Sequence, residues 1–367
     1  MKLYFKHNIN NHLNHKNNKM KITLKNKLWQ IGTGDGTRNY GNEFFNYGVA
    51  FVGPGSPGKV GSTSAKEYFE KHPEEKDWGS KLAKIKKGDW VIARSGKTRI
   101  LGVGEVLEGY DHSDLFEDVE GWNLQHFIKV KWYRPNNKEK TLHLLNSTMG
   151  WSTTSACNTQ EAKDLISTTD FEEVKPKCQE IWELPTELET KEITNALIDR
   201  GVRIQDAENV SSTLERIIRL TKWYEQNDYD VSEQELKALL IVPLFISLGW
   251  SEQKIKIEYM QMDMSLFDEP FTNKKENHPC LILEAKTFGN GLSFTEDQIK
   301  NYSNNHEDCK KFITTNGFRY RYLEKENGEL IEKGYFNLLK LRKQYQLKQY
   351  VNGYLKTTDT LLKMSNF

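Results

Sequence analysis

The first half of the chain contains short apolar runs that alternate with polar residues and end at glycines, a pattern that predicts β-strands. These runs lie at residues 28–31, 47–53, 90–94, 100–106 and 127–132. A two-residue Ser-Gly reversal separates the third run from the fourth, which indicates a tight hairpin. Residues 68–86 show an interrupted helical pattern. The first half is therefore predicted to form a small β-barrel with a helical insertion.

Helical and strand patterns alternate in the second half, which predicts a mixed domain. Apolar residues at helical spacing predict a helix over residues 208–226, and the long apolar run at residues 239–248 predicts a buried amphipathic helix. Another predicted helix carries Gln298 and Tyr302 on one face, because these residues are four positions apart. The C-terminal segment, residues 335–367, is also predicted to be helical and to complete this domain.

Two predicted strands of the second half carry acidic residues and a lysine. Residues 254–267 are predicted to form one strand that contains Asp263, and residues 280–286 form a buried strand that ends in Glu284-Ala-Lys286. Because the side chains of a strand alternate between its two faces, Glu284 and Lys286 lie on the same face. A polar, turn-like connection between the strands allows Asp263 to lie beside Glu284.

Paired carboxylates next to a lysine can hold a metal ion and an attacking water. Carboxylate oxygens suit hard divalent cations, so we expect Asp263 and Glu284 to bind Mg²⁺, with Mn²⁺ expected to substitute for it. Lys286 is expected to orient or deprotonate the water and to neutralise charge at a phosphate. The alternative is an ordinary Glu-Lys ion pair on a half-buried strand.

Changes in composition divide the chain into four segments. Residues 1–19 are rich in Asn, Lys and His, contain no acid and are predicted to be disordered. Met20 directly precedes the ordered pattern and is a candidate translation start. The remaining predicted segments are a barrel domain (20–182), a polar linker (183–207) and a second domain (208–367).

The overall composition is that of a globular protein. With 367 residues, 37% hydrophobic and 28% charged, the chain can form two or three domains. A net charge of +1 gives no global signature of nucleic-acid binding, but a local positive cleft is compatible with it. The four cysteines lack a C-x-x-C spacing, and no apolar run reaches the roughly 18 residues of a membrane span. We therefore expect a cytoplasmic protein with reduced thiols.

Five elements of the second half, within about residues 232–322, occur in a recognisable order. They are the helix from Ser232 to the Leu248-Gly249-Trp250 turn, Asp263, Glu284-x-Lys286, Gln298-x-x-x-Tyr302 and Thr315-Asn316-Gly317. Together they resemble the PD-(D/E)xK nucleases, especially the nuclease domain of type I restriction-enzyme motor subunits. One departure is Lys237, which stands where that family usually has arginine.

This resemblance implies a restriction-endonuclease-like α/β/α fold and Mg²⁺-dependent hydrolysis of DNA. Asp263, Glu284 and Lys286 match the catalytic residues of the family. Glu233 matches a helix carboxylate that ligates the metal or supports its ligands. Gln298 is expected to support the site or to contact the substrate.

Four features of the first half are shared with a known domain. They are Trp29, the Gly88-Asp89-Trp90 turn, the strand at residues 100–106 and the closing Val130-Lys131-Trp132. Over about residues 27–170 they resemble EVE domains, which are PUA-like barrels related to YTH domains. The resemblance implies a pocket that holds a flipped, modified base between aromatic rings.

Aromatic and basic residues of the barrel are candidates for contacts with DNA. The expected walls of the base pocket are Trp29, Tyr47, Trp78 and Trp90, with core packing as the alternative for each. For Trp132, core packing is the prediction. The residues expected to contact the DNA backbone are Arg94, Lys97 and Arg99, with a solvated turn as the alternative.

Taken together, the two resemblances imply a modification-dependent (type IV) restriction endonuclease of the kind used in antiphage defence. Its expected partner is double-stranded DNA that carries modified bases, bound by a homodimer because two cuts need two active sites. The chain has no Walker A sequence, so no ATP requirement is expected. The alternatives are a nuclease whose barrel senses a small nucleotide, and a modified-DNA reader that does not cleave.

Overall fold

The structure is a computed structural model, and it describes eleven segments of the chain. They are residues 20–35, 38–53, 58–73, 78–119, 122–150, 152–176, 186–227, 229–273, 276–288, 292–350 and 353–367. The predicted disordered tail, residues 1–19, lies outside these segments. Within them, no helix is long and apolar enough to cross a membrane.

A curled, half-barrel sheet organises the first half of the chain. Its strands and a small separate hairpin (β2 and β3) are β1 Leu28–Gly32, β2 Gly34–Asp35, β3 Arg38–Asn39, β4 Val49–Val52, β5 Trp90–Ser95, β6 Arg99–His112, β7 His126–Pro135, β8 Leu142–His143, β9 Thr154–Ala156 and β10 Phe171–Glu173. The sheet has the order β10-β7-β6-β5-β1-β9, with β4 added on β7 and β8 on β6. Only β1 and β5 pair in parallel among these strands.

Helices in the loops of this sheet help to cover its core. They are α1 Gly41–Tyr47, α2 Thr63–Lys71, α3 Trp78–Leu82 and α4 Gln160–Thr168. Helix α1 buries Phe44 and Phe45. Helix α2 begins at Ser62, whose hydroxyl accepts a hydrogen bond from the Ala65 amide at 3.2 Å, an ordinary N-terminal cap.

Trp132 on β7 lies at the centre of the first core, as predicted. Its side chain is only 1% exposed, and its indole N–H donates to the Val49 carbonyl at 3.0 Å. The ring stacks on Phe44 with centroids 5.9 Å apart. A Cβ at Gly104 would lie 2.7 Å from this indole, so the strand facing it needs a glycine.

A six-stranded sheet organises the second half. Its strands, with a separate C-terminal hairpin of β17 and β18, are β11 Ile255–Tyr259, β12 Met262–Leu266, β13 Leu281–Ala285, β14 Lys311–Thr315, β15 Arg319–Glu326, β16 Glu329–Asn337, β17 Gln344–Tyr350 and β18 Gly353–Lys356. The spatial order follows the chain from β11 to β16. Only β13 and β14 in this sheet pair in parallel, because the connection between them crosses over through a helix.

The helices of the second half are α5 Thr190–Ile198, α6 Ile204–Gln226, α7 Glu233–Leu236, α8 Val242–Ser247, α9 Glu296–Asn305 and α10 Thr357–Met364. A π-helical turn, Lys237–Ile241, joins α7 to α8 in one continuous helix. Helix α5 falls within the segment predicted to be a linker. Its Ile193 and Leu197 are fully buried in the core of the second half.

Two predictions about elements of the second half were wrong. Residues 254–267 are two strands, because Met260 and Gln261 have φ values of 50° and 67° and form the two-residue turn of a hairpin. In the C-terminal segment, strands β16, β17 and β18 take 14 residues, and α10, with eight residues, is the only helix among the described residues. The resulting architecture is a mixed α+β chain with two large sheets and two separate hairpins.

The two halves contact each other through a buried acidic residue. The Asp118 carboxylate, 7% exposed, accepts hydrogen bonds from the Tyr335 hydroxyl at 3.1 and 3.3 Å and from the Asn337 amide at 3.1 Å. Beside it, the Arg319 guanidinium lies 5.4 Å from the centroid of the Trp122 ring. Residues of the first half thus pack on strands β15 and β16 of the second.

Candidate active site

Asp263 and Glu284 meet on neighbouring antiparallel strands. The register that pairs Met264 with Leu283 places Asp263 opposite Glu284. One Asp263 oxygen accepts a hydrogen bond from the Ala285 amide at 2.8 Å, which ties its carboxylate to the end of β13. The predicted pairing of the two carboxylates is therefore present in the structure.

Glu284 is a buried carboxylate with a donor on each oxygen. Its side chain is 3% exposed, one oxygen lies 2.7 Å from the Lys286 ammonium, and the other accepts from the Tyr302 hydroxyl at 3.1 Å. The Tyr302 hydroxyl also lies 2.8 Å from the Gln261 carbonyl oxygen in the β11–β12 turn. Strand β13, helix α9 and the turn between β11 and β12 thus meet around Glu284.

Lys237 binds Asp263 and a further carboxylate, that of Glu258. Neither Lys237 nor Glu258 was predicted to belong to the site. The Lys237 ammonium lies 3.0 Å from an Asp263 oxygen and also contacts Glu258, although the lysine side chain is only 2% exposed. Glu258 lies opposite Asp263 in the register that pairs Ile257 with Met264. Gln234 donates to the same Glu258 oxygen at 3.0 Å.

The position of Lys237 follows from the π-helical turn. Such turns insert one extra residue into a helix and are frequent at functional sites. Here the turn begins at Lys237 and directs this lysine toward the strand ends, whereas its neighbours Leu240 and Ile241 remain fully buried. Gly317 permits the loop after β14 to approach: a Cβ on it would lie 2.7 Å from Leu236.

The other two residues predicted for the catalytic site lie at its border. Gln298 is half-buried on α9, one turn before Tyr302. Glu233 is half-buried at the start of α7, where its carbonyl accepts from the Lys237 amide. At this corner of the site, Gln234 and Lys237 make the described side-chain contacts with Glu258 and Asp263.

The electrostatics of the site oppose the ionisation of Glu284. Burial raises the pKa of the Glu284 carboxyl, and repulsion from Asp263 adds to this, against the hydrogen bonds from Lys286 and Tyr302. Burial also raises the pKa of the Tyr302 hydroxyl, with a further contribution from Glu284. For Lys237, burial lowers the pKa, but its contacts with Glu258 and Asp263 outweigh burial and raise it.

The donor set fits a hard divalent cation. Mg²⁺ is commonly bound by one or two carboxylates and keeps several waters, and Asp263 and Glu284 supply two carboxylates from adjacent strands. Each of their oxygens keeps a second lone pair beside its present hydrogen bond. Within the described residues, no group of three or more acidic, histidine or cysteine side chains is arranged to hold a metal ion. Water would therefore complete the coordination.

Trp29 and Trp90 lie on opposite faces of the barrel sheet. Register pairs Leu28 with Trp90 and Trp29 with Val91, and residues paired in this way share a face. The Trp29 ring packs on the core that contains Trp132, and its N–H donates to Asp89 at 2.9 Å. The Trp90 ring packs on the other core. The sheet therefore lies between the two rings, so they do not form two walls of a single cage.

The remaining residues predicted for DNA contact occupy different environments. Tyr47 ends α1 and is half-buried against the first core. The backbone of Trp78 begins α3, but its side chain lies outside the described residues. Arg94 is 6% exposed and donates to the carbonyls of Gly96 and Ser152 at 2.6 and 2.8 Å, so it braces the hairpin. At the hairpin tip, Lys97 is half-buried and Arg99 is exposed.

The chain was also compared with known proteins. The family model of a domain of unknown function (DUF8426) matches residues 29–158, which extend from β1 to just beyond β9. No curated protein matches the chain, and no solved structure matches it. The second half, which contains the candidate site, lies outside the matched family region.

Proposed function

We propose that this chain is a metal-dependent DNA endonuclease whose N-terminal half selects DNA with modified bases. The observation that carries the proposal is the corner formed by Asp263, Glu284 and Lys286. Two carboxylates lie side by side at the end of adjacent strands, and a lysine lies 2.7 Å from the buried one. This arrangement suits phosphodiester hydrolysis, which needs both charge stabilisation and an activated water.

Asp263 and Glu284 would hold the Mg²⁺ ion. The bound cation would supply Lewis acidity toward a phosphate oxygen and make a bound water more acidic. The chain's own contribution is to fix both carboxylates before the substrate arrives. Ala285 and Lys237 hold Asp263, and Tyr302 holds Glu284. Such supporting hydrogen bonds reduce the cost of reorganising the site during the reaction.

Lys286 is the member of the site that we assign to the water and the phosphate. Its side chain is 20% exposed, whereas that of Glu284 is 3% exposed, so the lysine lies nearer to solvent. A positive charge at this position stabilises the negative charge that develops on a phosphate in the transition state. The hydrogen bond from Lys286 favours the ionised form of Glu284 and lowers the pKa of that carboxyl, although burial raises the pKa overall.

The proposed selection of modified DNA rests on the barrel half. Its resemblance to EVE domains supports a base pocket, and its exposed hairpin tip carries Arg99 with Lys97 beside it. Because Trp29 and Trp90 lie on opposite faces of the sheet, we assign at most one of them to a given pocket. The contact of Asp118 with Tyr335 and Asn337 joins this half to the nuclease half.

Digestion of matched DNAs tests the proposal. The purified full chain is incubated with Mg²⁺ and DNAs that are unmodified or contain N6-methyladenine, 5-methylcytosine or 5-hydroxymethylcytosine. We expect at least one modified DNA to be cut, no cutting in EDTA, and no cutting by Asp263→Asn. Asp268→Asn, which alters an exposed carboxylate just after β12, is the matched control and should cut like the wild type. Equal failure on all DNAs by a folded wild-type chain contradicts the proposal.

A further inference from the structure

Helix α6 has an exposed face that is unusually long and carries large apolar side chains. The helix spans 23 residues, Ile204–Gln226, and is therefore about 34 Å long. Its buried face packs on the core of the second half through residues such as Val210 and Leu214. On the exposed side, Ile204 is 60% exposed near one end and Trp223 is 48% exposed near the other. Exposed tryptophan is typical of protein interfaces.

Charge on the exposed face varies along the helix. Glu208 lies in the N-terminal half, Glu215 lies near the middle and accepts a hydrogen bond from α5, and Arg219 and Lys222 lie in the C-terminal half. Glu208 and Arg219 are eleven residues apart, which is about three turns, so they lie on the same face. Within the described part of the chain, neither Glu208 nor Arg219 has an ion-pair partner. The helix dipole favours the same distribution of charge, but it gives no reason to expose Ile204 and Trp223.

Shallow grooves on the exposed surface of the helix complement this pattern of side chains. In the C-terminal half, Arg219 and Trp223 form a ridge that borders two largely apolar grooves of about 490 and 540 Å³. In the N-terminal half, a groove of about 340 Å³ is lined by Gln205, Asp206, Glu208, Asn209 and Ser212. A ridge that carries a positive charge and a groove that carries a negative one therefore lie on one surface. Helices pack by inserting ridges into such grooves.

We infer that α6 is the interface of a homodimer, in which it packs antiparallel against α6 of a second copy. A two-fold axis between Thr213 and Leu214 places Glu208 opposite the partner's Arg219, and its symmetry creates the same pair again. The same axis places Ile204 opposite the partner's Trp223. A single surface is thus self-complementary in charge and in shape, as a two-fold interface requires. A second copy satisfies Glu208 and Arg219 together, whereas nucleic acid would repel Glu208.

This inference adds a dimer interface to the proposed function. Cutting both strands of DNA needs two active sites, and a dimer supplies one on each chain. The interface rests on the exposed face of α6 and not on the site of Asp263 and Glu284. Its test is read in metal-free buffer without DNA. Failure of the nuclease proposal and failure of the dimer are therefore distinguishable.

Charge reversal tests the interface. The mass of the full chain is measured by sedimentation equilibrium over a range of concentrations. Wild type is expected to form a dimer. Glu208→Arg and Arg219→Glu are each expected to weaken it by at least about tenfold, because like charges then oppose each other twice across the axis. The double variant, Glu208→Arg with Arg219→Glu, is expected to restore dimerisation, since the charges are exchanged and remain complementary.

The control is Glu329→Arg, which reverses an exposed charge at the start of β16 and should leave the dimer unchanged. Thermal melts of each variant confirm that loss of the dimer is not loss of the fold. A wild-type chain that stays monomeric at its highest soluble concentration overturns the inference. A dimer that is indifferent to both single reversals, or a double variant no better than the single ones, also overturns it. The same is true if Arg219→Glu leaves the dimer intact and weakens only DNA binding.

Discussion

At the scale of single residues, Glu284 makes the stability of the metal-free protein depend on pH. Burial and repulsion from Asp263 raise the pKa of its carboxyl above the ordinary value of 4.5. Folding therefore favours the protonated form. The stabilising contribution is complete below the unfolded pKa and is lost as the pH rises through the raised folded pKa. We predict that the melting temperature of the wild type falls relative to that of Glu284→Gln over this range, in the presence of EDTA.

At each pH, the melting temperature of Glu284→Gln is subtracted from that of the wild type. The contributions of other titrating groups, which are present in both proteins, are thereby removed. Glu284→Gln keeps the size of the side chain and an acceptor for the Tyr302 hydroxyl, which makes it a matched variant. A difference in melting temperature that stays constant from acid to neutral pH would show that Glu284 titrates like an ordinary glutamate. That result would contradict the raised pKa of the Glu284 carboxyl that we describe.

Residues of the candidate site could be predicted from the sequence where their spacing along one strand or helix fixes their relative positions. Strand alternation is enough to place Glu284 beside Lys286, and helix spacing places Gln298 beside Tyr302. Glu258 could not be placed in this way, because its position opposite Asp263 depends on a turn at Met260 and Gln261. This turn has no glycine or Asn-Gly signal, and residues with positive φ are rarely methionine and glutamine.

At the scale of elements, the pairing of β1 with β5 limits which tryptophans can line the proposed base pocket together. Trp29 and Trp90 lie on opposite faces of these strands, so alanine substitutions should have different effects. We predict that at most one of them selectively weakens binding to modified DNA. Loss of a stacking wall would cost about 1–3 kcal/mol, or about ten- to a hundredfold in affinity.

The other tryptophan is expected to behave as a core residue. Its alanine variant should lower the melting temperature and weaken binding to modified and unmodified DNA alike. Binding curves for both DNAs, measured beside thermal melts, separate the two behaviours. If both variants fold normally and both selectively weaken binding to modified DNA, both rings line the base pocket. That result would contradict the register that places the two rings on opposite faces of the sheet.

Strand register and turn type also set the limit of prediction at this scale. A buried helix over residues 239–248 was predictable from its apolar run, but the π-helical turn that begins at Lys237 was not, since one extra residue in a single turn changes the apolar spacing only slightly. The C-terminal strands β17 and β18 were predicted as helix. Gln, Leu and Lys, which favour a helix, make up five of the seven residues of β17, and pairing with β18 overrides that preference.

At the scale of the whole molecule, Asp118 joins the two halves. Removing its carboxylate leaves the buried Tyr335 hydroxyl and Asn337 amide without this acceptor. We predict that Asp118→Ala destabilises the full chain by about 1–3 kcal/mol, the usual cost of an unsatisfied buried group. Denaturant unfolding with a probe in each half measures this. The probes should coincide in the wild type and separate in the variant.

The matched control for this junction is Asp164→Ala, which removes an exposed aspartate on α4 whose side chain accepts a hydrogen bond from Gln160 in the same helix. It should leave the two transitions coincident. If Asp118→Ala unfolds like the wild type at both probes, the contact does not couple the halves. The halves would then be coupled by other contacts, such as the ion pairs of Glu117 with Lys340 and Arg342.

The most direct test of the account is the single-turnover rate of cleavage by Lys286→Met, measured with Mg²⁺ on the DNA that the wild type cuts best. We predict a loss of at least about a thousandfold, because both charge stabilisation and activation of the water depend on this lysine. Binding of the same DNA in EDTA should stay within a few-fold of the wild type. A Lys286→Met protein that cuts at the wild-type rate would contradict the assignment of this corner as a nuclease centre.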